Sequence, residues 1–342
     1  MNSSLLISRL KFSLLRTNSS LAGKLAMLLF VFFDRRHPGV SGRGRLLLDL
    51  CQPANPLQRS SNIPEIAIVI PFVRKDLEVL PNSVAAALSN SLNPVAVITL
   101  VTPRRTLVEG KMTVLDIERT VRAALEPHLS SVSVLVRHDE DVLGDELVAQ
   151  ISSLGLSPRY RGWCTQQLVK VLAVMQGAPT ASLVLDSDTI LQYPRVWLGQ
   201  NAEQVLCIGQ ECRSVPFLHS SAFLGLSSRP RLSFVTHHQL MQRDVLKEIF
   251  PEGKASVGAW LAYANPKESD YASGLKLNDY ETYGAFLAER HPGRVRFASW
   301  GNGTGTRDQI FQSAGAKPVP TWPLSISYHH YRSGTVTDPA MF

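Results

Sequence analysis

From residue 63 onward the chain alternates short apolar runs with segments whose apolar residues recur at helical spacing. The runs IAIVIPF (66–72), VAVITLV (95–101), VSVLV (132–136) and SLVLD (182–186) are rich in β-branched residues and almost free of charge. That is the pattern of strands buried on both faces. Between them lie KDLEVLPNSVAAALSN (75–90), TVLDIERTVRAALEPHL (113–129) and WCTQQLVKVLAVMQ (163–176), where Leu, Val and Ile fall three and four residues apart and predict helices. Later segments extend the pattern. YETYGAFLAER (280–290) predicts a helix, and FVTHHQLMQRDVLKEIF (234–250) sets His237 and His238 before a helix with Leu240, Met241, Val245 and Ile249 as its apolar positions. PLSISYHHY (323–331) alternates like a strand, and GNGTGT (301–306) reads as a mobile loop because it fits neither GxGxxG nor a P-loop. Strands alternating with helices predict the α/β class, with a mostly parallel, Rossmann-like sheet flanked by helices. In such sheets ligands sit beyond the carboxyl ends of the strands.

Residues 1–62 have a different character and predict a separate basic arm ahead of a domain spanning 63–342. The arm carries Arg9, Lys11, Arg16, Lys24, Arg35, Arg36, Arg43 and Arg45 against only Asp34 and Asp49. Its apolar stretch LAMLLFVFF (25–33) is far shorter than the roughly 20 residues a spanning helix needs. Two readings stand side by side: a peripheral anchor on an anionic membrane face, and a helix packed on the domain's own surface. The whole chain, with 342 residues, 44% hydrophobic and 18% charged, is long and apolar enough for a sizeable core. A formal net charge of +7 favours an anionic partner. Nucleic acid is the least favoured such partner, because no helix-turn-helix, zinc pattern or aromatic-interleaved basic face occurs. Cys51, Cys164, Cys207 and Cys212 form no CxxC pair, so they read as reduced thiols of a cytoplasmic protein without structural zinc.

Chemistry enters at the end of the fourth apolar run, where Asp186 and Asp188 flank Ser187. Two like charges at a strand end raise each other's pKa unless a cation or hydrogen-bond donors compensate. Divalent ions that prefer oxygen ligands, Mn2+ or Mg2+, are the simplest compensation, and they commonly bridge carboxylates to phosphates. A solvated turn or helix cap is the plain alternative.

Taken in order, IAIVIPFVRKDLEVLPNSVAAAL, RGWCTQQLVKVLAV, LVLDSDTIL, SDYASGLKLNDYETYGAFL and SISYHHYRSG resemble the GT-A glycosyltransferases over roughly residues 63–335. The likeness is greatest to a poorly characterised bacterial family of DxD-containing proteins placed among them. The resemblance implies a metal-dependent transferase that takes a sugar from a nucleotide-sugar donor to a glycan or lipid-linked acceptor. It implies further that Arg74 meets phosphate and Asp76 the base or ribose, unless Asp76 caps the next helix. Asp186 would face the ribose or the metal, Asp188 would ligate the metal, and His329, favoured over the adjacent His330, would complete the ligand set. Gln167 and Lys170 lie on one helical face near this edge, with Lys170 placed to steady phosphate. Glu281 is the expected general base of an inverting reaction with Asp279 as first alternative, although both acids also suit a helix N-terminus. Capping suits Asp279 better. His237 and His238 border the acceptor pocket in the look-alike family, while core or capping roles remain open for both.

One rival enzyme class shares the apolar run with two acids: the aspartyl-phosphate phosphatases of the haloacid dehalogenase type, with Asp186 as nucleophile. The match is incomplete, because Thr189 follows the second acid directly and three strands precede a motif that usually opens that fold. A non-catalytic binding module is the third class.

Overall fold

The four apolar runs pair with one another. The computed structural model describes residues 57, 62–110, 112–125, 132–177, 179–208, 214–226, 233–267, 276–300, 302–304 and 325–327. Its first half contains β1 (Ile66–Pro71), α1 (Leu80–Ser89), β2 (Val95–Thr102), α2 (Arg104–Gly110), α3 (Val114–Leu125), β3 (Ser133–His138), α4 (Asp139–Leu143), α5 (Asp145–Ser153) and α6 (Pro158–Gln176). There follow β4 (Ala181–Leu185), β5 (Thr189–Leu191), β6 (Gln204–Ile208), α7 (Ser214–Phe223), β7 (His238–Gln242), α8 (Arg243–Ile249) and α9 (Lys254–Ala264). The last elements are α10 (Asp279–Arg290), β8 (Val295–Ser299), β9 (Asn302–Thr304) and β10 (Ser325–Ser327).

The main sheet has the order β3-β2-β1-β4-β7, parallel throughout except for β7, which runs antiparallel to β4. The predicted α/β class with a mostly parallel sheet flanked by helices is therefore observed. Every residue of β1 and β4 is buried, because each face carries its own helical layer. Side chains alternate between the layers as a strand's period of two requires. Val69 and Val184 pack with Leu168, Leu172, Val245 and Leu287, whereas Ile68, Ile70, Leu183 and Leu185 pack with Leu80, Val84, Ile117 and Val121.

Two local expectations are corrected. Leu240 and Met241 lie on β7 rather than on a helix, with Leu240 opposite Leu183 and Met241 opposite Ser182. The edge of β4 away from β1 offers a ladder of backbone partners, and Tyr283 reinforces the pairing by accepting from the Gln242 amide at 2.8 Å. The helix begins only at Arg243. Asn302–Thr304, read as part of a loop, forms β9 and pairs in parallel with β10, which on its other edge pairs antiparallel with β5. Residues 1–56 and 58–61 of the basic arm lie outside the described residues. Among those described, no helix is long and apolar enough to cross a membrane, and Cys164 and Cys207 are buried free thiols.

Helix α10 closely approaches the segment leading into β7 at Gly284. A Cβ built there would lie 2.6 Å from Cδ2 of Phe234, a ring with no exposed surface and no room to retreat. Gly284→Ala is expected to destabilise the protein by about 1–3 kcal/mol despite alanine's better helix propensity. The midpoint of urea unfolding reads the change.

Candidate active site

β4 ends at Leu185, and the chain turns through Asp186, Ser187 and Asp188 into β5, so the paired acids lie between the main sheet and the small one. The turn is pinned from three sides. The Asp186 amide donates to the His237 carbonyl at 3.0 Å, and Ser83 Oγ on α1 donates to the Ser187 carbonyl at 2.6 Å. Ser187 Oγ in turn donates to Asp76 Oδ2 at 2.8 Å, and that oxygen also accepts from the Val73 amide at 3.1 Å. Asp76 belongs to the short turn Arg74–Asp76 after β1, the parallel neighbour of β4, and so stands at the same carboxyl edge. Burial pushes its carboxyl up to about 6, with Lys75 opposing and Asp188 adding to the rise. His237 holds a φ of 63°, a left-handed conformation uncommon outside glycine, and strain of that kind gathers at functional sites.

Asp186 is enclosed by donors. Its Oδ1 accepts from Lys170 Nζ at 2.5 Å and from the Tyr280 hydroxyl at 3.1 Å, while Oδ2 lies 2.9 Å from His237 Nδ1. Lys170 is 1% exposed on α6. Its ammonium also donates to the Tyr280 hydroxyl at 3.1 Å and lies 3.6 Å from Asp279 Oδ2. Burial disfavours the charge on each partner, but their mutual attraction outweighs it. Asp186 is held below the usual carboxylate range and Lys170 above its ordinary value. Lys170 thus serves as an internal counterion for Asp186, a role that differs from the expected contact with phosphate.

The other expected residues divide. Asp279 belongs to the cluster: it is 1% exposed, and among the described residues neither carboxylate oxygen accepts a hydrogen bond. Burial pushes it up to about 6 against the pull of Lys170. It does not cap α10. Asn278 does, with Oδ1 accepting from the Glu281 amide at 2.8 Å. Gln167 is buried and turned inward, its Oε1 accepting from the Asp279 amide at 3.1 Å, so it orients Asp279 rather than facing a ligand. Glu281 does not project into a cleft. It is 1% exposed, and its Oε1 accepts from Ser233 Oγ at 2.6 Å and from the Phe234 amide at 3.2 Å. His238 is likewise a core residue, with no exposed surface, its ring 4.5 Å from that of Trp300 and 5.3 Å from that of Trp197. Arg74 is exposed at the edge of the site and Asp188 is half-buried beside it. His329 and His330 lie outside the described residues.

The sequence reading passed over Tyr280 and Ser187, although both stand inside the quoted motifs. A hydroxyl between two acids carries no distinguishing pattern, and only the packing of α10 against α6 shows that Tyr280 bridges Lys170 and Asp186.

No protein-family model matches the chain, and no curated protein does. Among solved structures the chain is similar to the mannosyltransferase Ktr4p of S. cerevisiae, with 10% identity over 82% of this chain and 84% of that chain and a TM-score of 0.46. It is also similar to mouse xyloside xylosyltransferase 1, with 10% identity, 78% and 99% coverage and a TM-score of 0.41. For the galactosyltransferase LgtC the values are 11% identity, 77% and 87% coverage and a TM-score of 0.40. Likeness this distant carries no argument about the chemistry, which rests on the residues themselves.

Proposed function

We propose that this chain is a metal-dependent GT-A-type glycosyltransferase that moves a sugar from a nucleotide diphosphate donor to a glycan or lipid-linked acceptor. The pinned acidic turn supports the reading: Asp186 and Asp188 stand at the carboxyl edge of β4, locked through Ser187 to Asp76 at the end of the adjacent parallel strand. Ligands of open α/β sheets bind at that edge. Four carboxylates, Asp76, Asp186, Asp188 and Asp279, gather there, and Lys170 is paired with two of them.

The cluster's negative excess suits a divalent cation, although among the described residues no group of three His, Cys, Asp or Glu side chains comes together to hold one. Asp188 and the second lone pair of Asp186 Oδ2 would hold Mn2+ or Mg2+, with His329 as the proposed third ligand. When bound, the ion supplies neutralisation of the departing diphosphate. Lys170 and Tyr280 keep Asp186 ionised and fix its orientation, and exposed Arg74 offers a contact for the donor's phosphates. Asp279, raised to about 6 and with no hydrogen bond to either carboxylate oxygen among the described residues, is the carboxylate proposed to take the acceptor's proton in place of Glu281, whose Oε1 is held by Ser233 and Phe234. The basic arm is proposed to bring a cytoplasmic enzyme to the inner membrane face, where lipid-linked acceptors reside.

Thermal melts with UDP-, GDP- and dTDP-sugars, with and without Mn2+, test this reading, because a ligand of the native state raises its melting temperature. One donor is expected to stabilise the protein in a Mn2+-dependent manner, and Asp188→Ala is expected to erase the Mn2+-dependent part while the ligand-free melt stays put. An undiminished shift in the variant removes Asp188 from the site. Hydrolysis of an aryl phosphate without any donor effect moves the assignment to a phosphohydrolase.

A further inference from the structure

Away from the acidic turn, a second charged group is buried with no hydrogen-bond partner for its side chain among the described residues. Arg195 is 2% exposed. Its backbone is fixed, the amide donating to the Asn90 carbonyl at 3.0 Å and the carbonyl accepting from the Leu92 amide at 2.9 Å. Its side chain is not: among the described residues Nε, Nη1 and Nη2 all lack a hydrogen-bond partner. The guanidinium carbon lies 5.2 Å from the centre of the Trp300 ring and 5.6 Å from that of Tyr193. Such cation–π contact offsets only part of the cost of burying a charge.

Among the described residues the surroundings supply no protein anion. Cys207 interacts with Arg195 electrostatically, yet burial pushes its thiol up to about 12, so it stays neutral. His238, packed on the same Trp300 ring, is pushed by burial down to about 3 and is neutral too. Its Nδ1 lies 2.9 Å from the Thr236 carbonyl, an acceptor only, so the proton sits on Nδ1. Trp197, whose ring is 5.7 Å from that of Trp300, adds an indole N–H without a partner among the described residues. By contrast Trp300 Nε1 donates to Ser325 Oγ at 2.8 Å, so the unmet donors of this aromatic cluster belong to Arg195 and Trp197.

We infer that Arg195, with the Trp197 indole N–H, forms a buried binding site for one small monovalent inorganic anion of chloride size. A single guanidinium supplies one positive charge, and its near-complete burial among rings suits a compact, weakly hydrated ion over a phosphate. The site is structural: it lies where α1, the segment leading to Trp197 and the end of β8 meet, and the ion would hold these three together.

Melting of the full chain in sodium chloride and sodium gluconate at equal ionic strength tests this, because gluconate screens the net charge without entering. Chloride is expected to raise the melting temperature saturably, by about 5 °C at one hundred times its dissociation constant. Arg195→Met is expected to make the two salts equivalent. Crystals of the native protein soaked in bromide are expected to show an anomalous peak at hydrogen-bonding distance from the guanidinium, a readout that holds even where the variant fails to fold. Coincident chloride and gluconate melts of the native protein, or a bromide map empty at Arg195, overturn the inference. Neither result bears on the transferase reading, which rests on other residues.

Discussion

Lys170→Met is expected to destabilise the protein by about 3–5 kcal/mol, the cost of removing one partner from a buried ion pair. The methionine keeps the apolar stem that packs along α6, so the loss isolates the ammonium. That ammonium is surrounded by Asp186 Oδ1 at 2.5 Å, the Tyr280 hydroxyl at 3.1 Å and Asp279 Oδ2 at 3.6 Å. Its removal leaves two carboxylates facing each other in a region where Lys170 is 1% and Asp279 1% exposed. Chemical unfolding at pH 7 measures the effect. A double-mutant cycle then identifies its source: Asp186→Asn in the Lys170→Met background is expected to recover part of the loss, since the neutral amide no longer lacks a counterion. A Lys170→Met variant within about 0.5 kcal/mol of the native protein, a range typical of surface substitutions, contradicts the buried pair.

This pair also answers why the chain tolerates two acids at the end of a buried strand. The first, Asp186, is compensated from within by a lysine sixteen residues earlier, and the second, Asp188, stands half-buried beside it at the edge. The inner half of the motif is thus preorganised by groups of the protein itself.

Much of the framework was legible in the chain. Continuous β-branched runs separated by helical periodicity can satisfy their apolar surface only between two helical layers, so β1 to β4 and their parallel pairing followed from pattern alone. The acidic edge followed in the same way, since a strand's last residues must emerge at the sheet's carboxyl side. What pattern could not give was the contact made by each side chain. Leu240 and Met241 suit a helix or a strand equally, and the open edge of β4 decided between them. Glu281 and Asp279 are two residues apart on one helix, and about 200° of rotation separates them. That angle sends Asp279 toward Lys170 and Glu281 toward Ser233, a distinction that charge and spacing do not carry. Arg195 was passed over because a single arginine between apolar residues has no signature of burial.

Glu281 gives the second large effect, and its sign is opposite to that of the usual surface acid. Burial pushes its carboxyl up to about 8 from 4.5, against the hydrogen bonds from Ser233 and Phe234. The folded protein therefore binds one proton more than the unfolded chain between pH 4.5 and 8, and stability falls as pH rises through that window. Asp76 and Asp279, raised to about 6, act with the same sign but are spent by then, so the stretch from pH 6 to 8 belongs to Glu281 and to Asp139, which burial likewise pushes up to about 8. Asp186 has a depressed pKa, and its contribution is lost only as pH drops below its unfolded value near 4, outside this range. Glu281→Gln keeps the acceptor that meets Ser233 and Phe234 and removes the proton equilibrium. Urea unfolding from pH 6 to 8.5 is expected to show native stability declining more steeply than the variant's, which keeps the slope that Asp139 contributes. Between pH 6 and 8 the difference between the two should change by at most about 3 kcal/mol. Parallel curves mean that Glu281 is not buried as described. The same variant separates its two assigned roles: a general base contributes roughly 10²–10⁴-fold to turnover, whereas a buried carboxyl turned toward Ser233 is expected to leave sugar transfer within a few-fold of native.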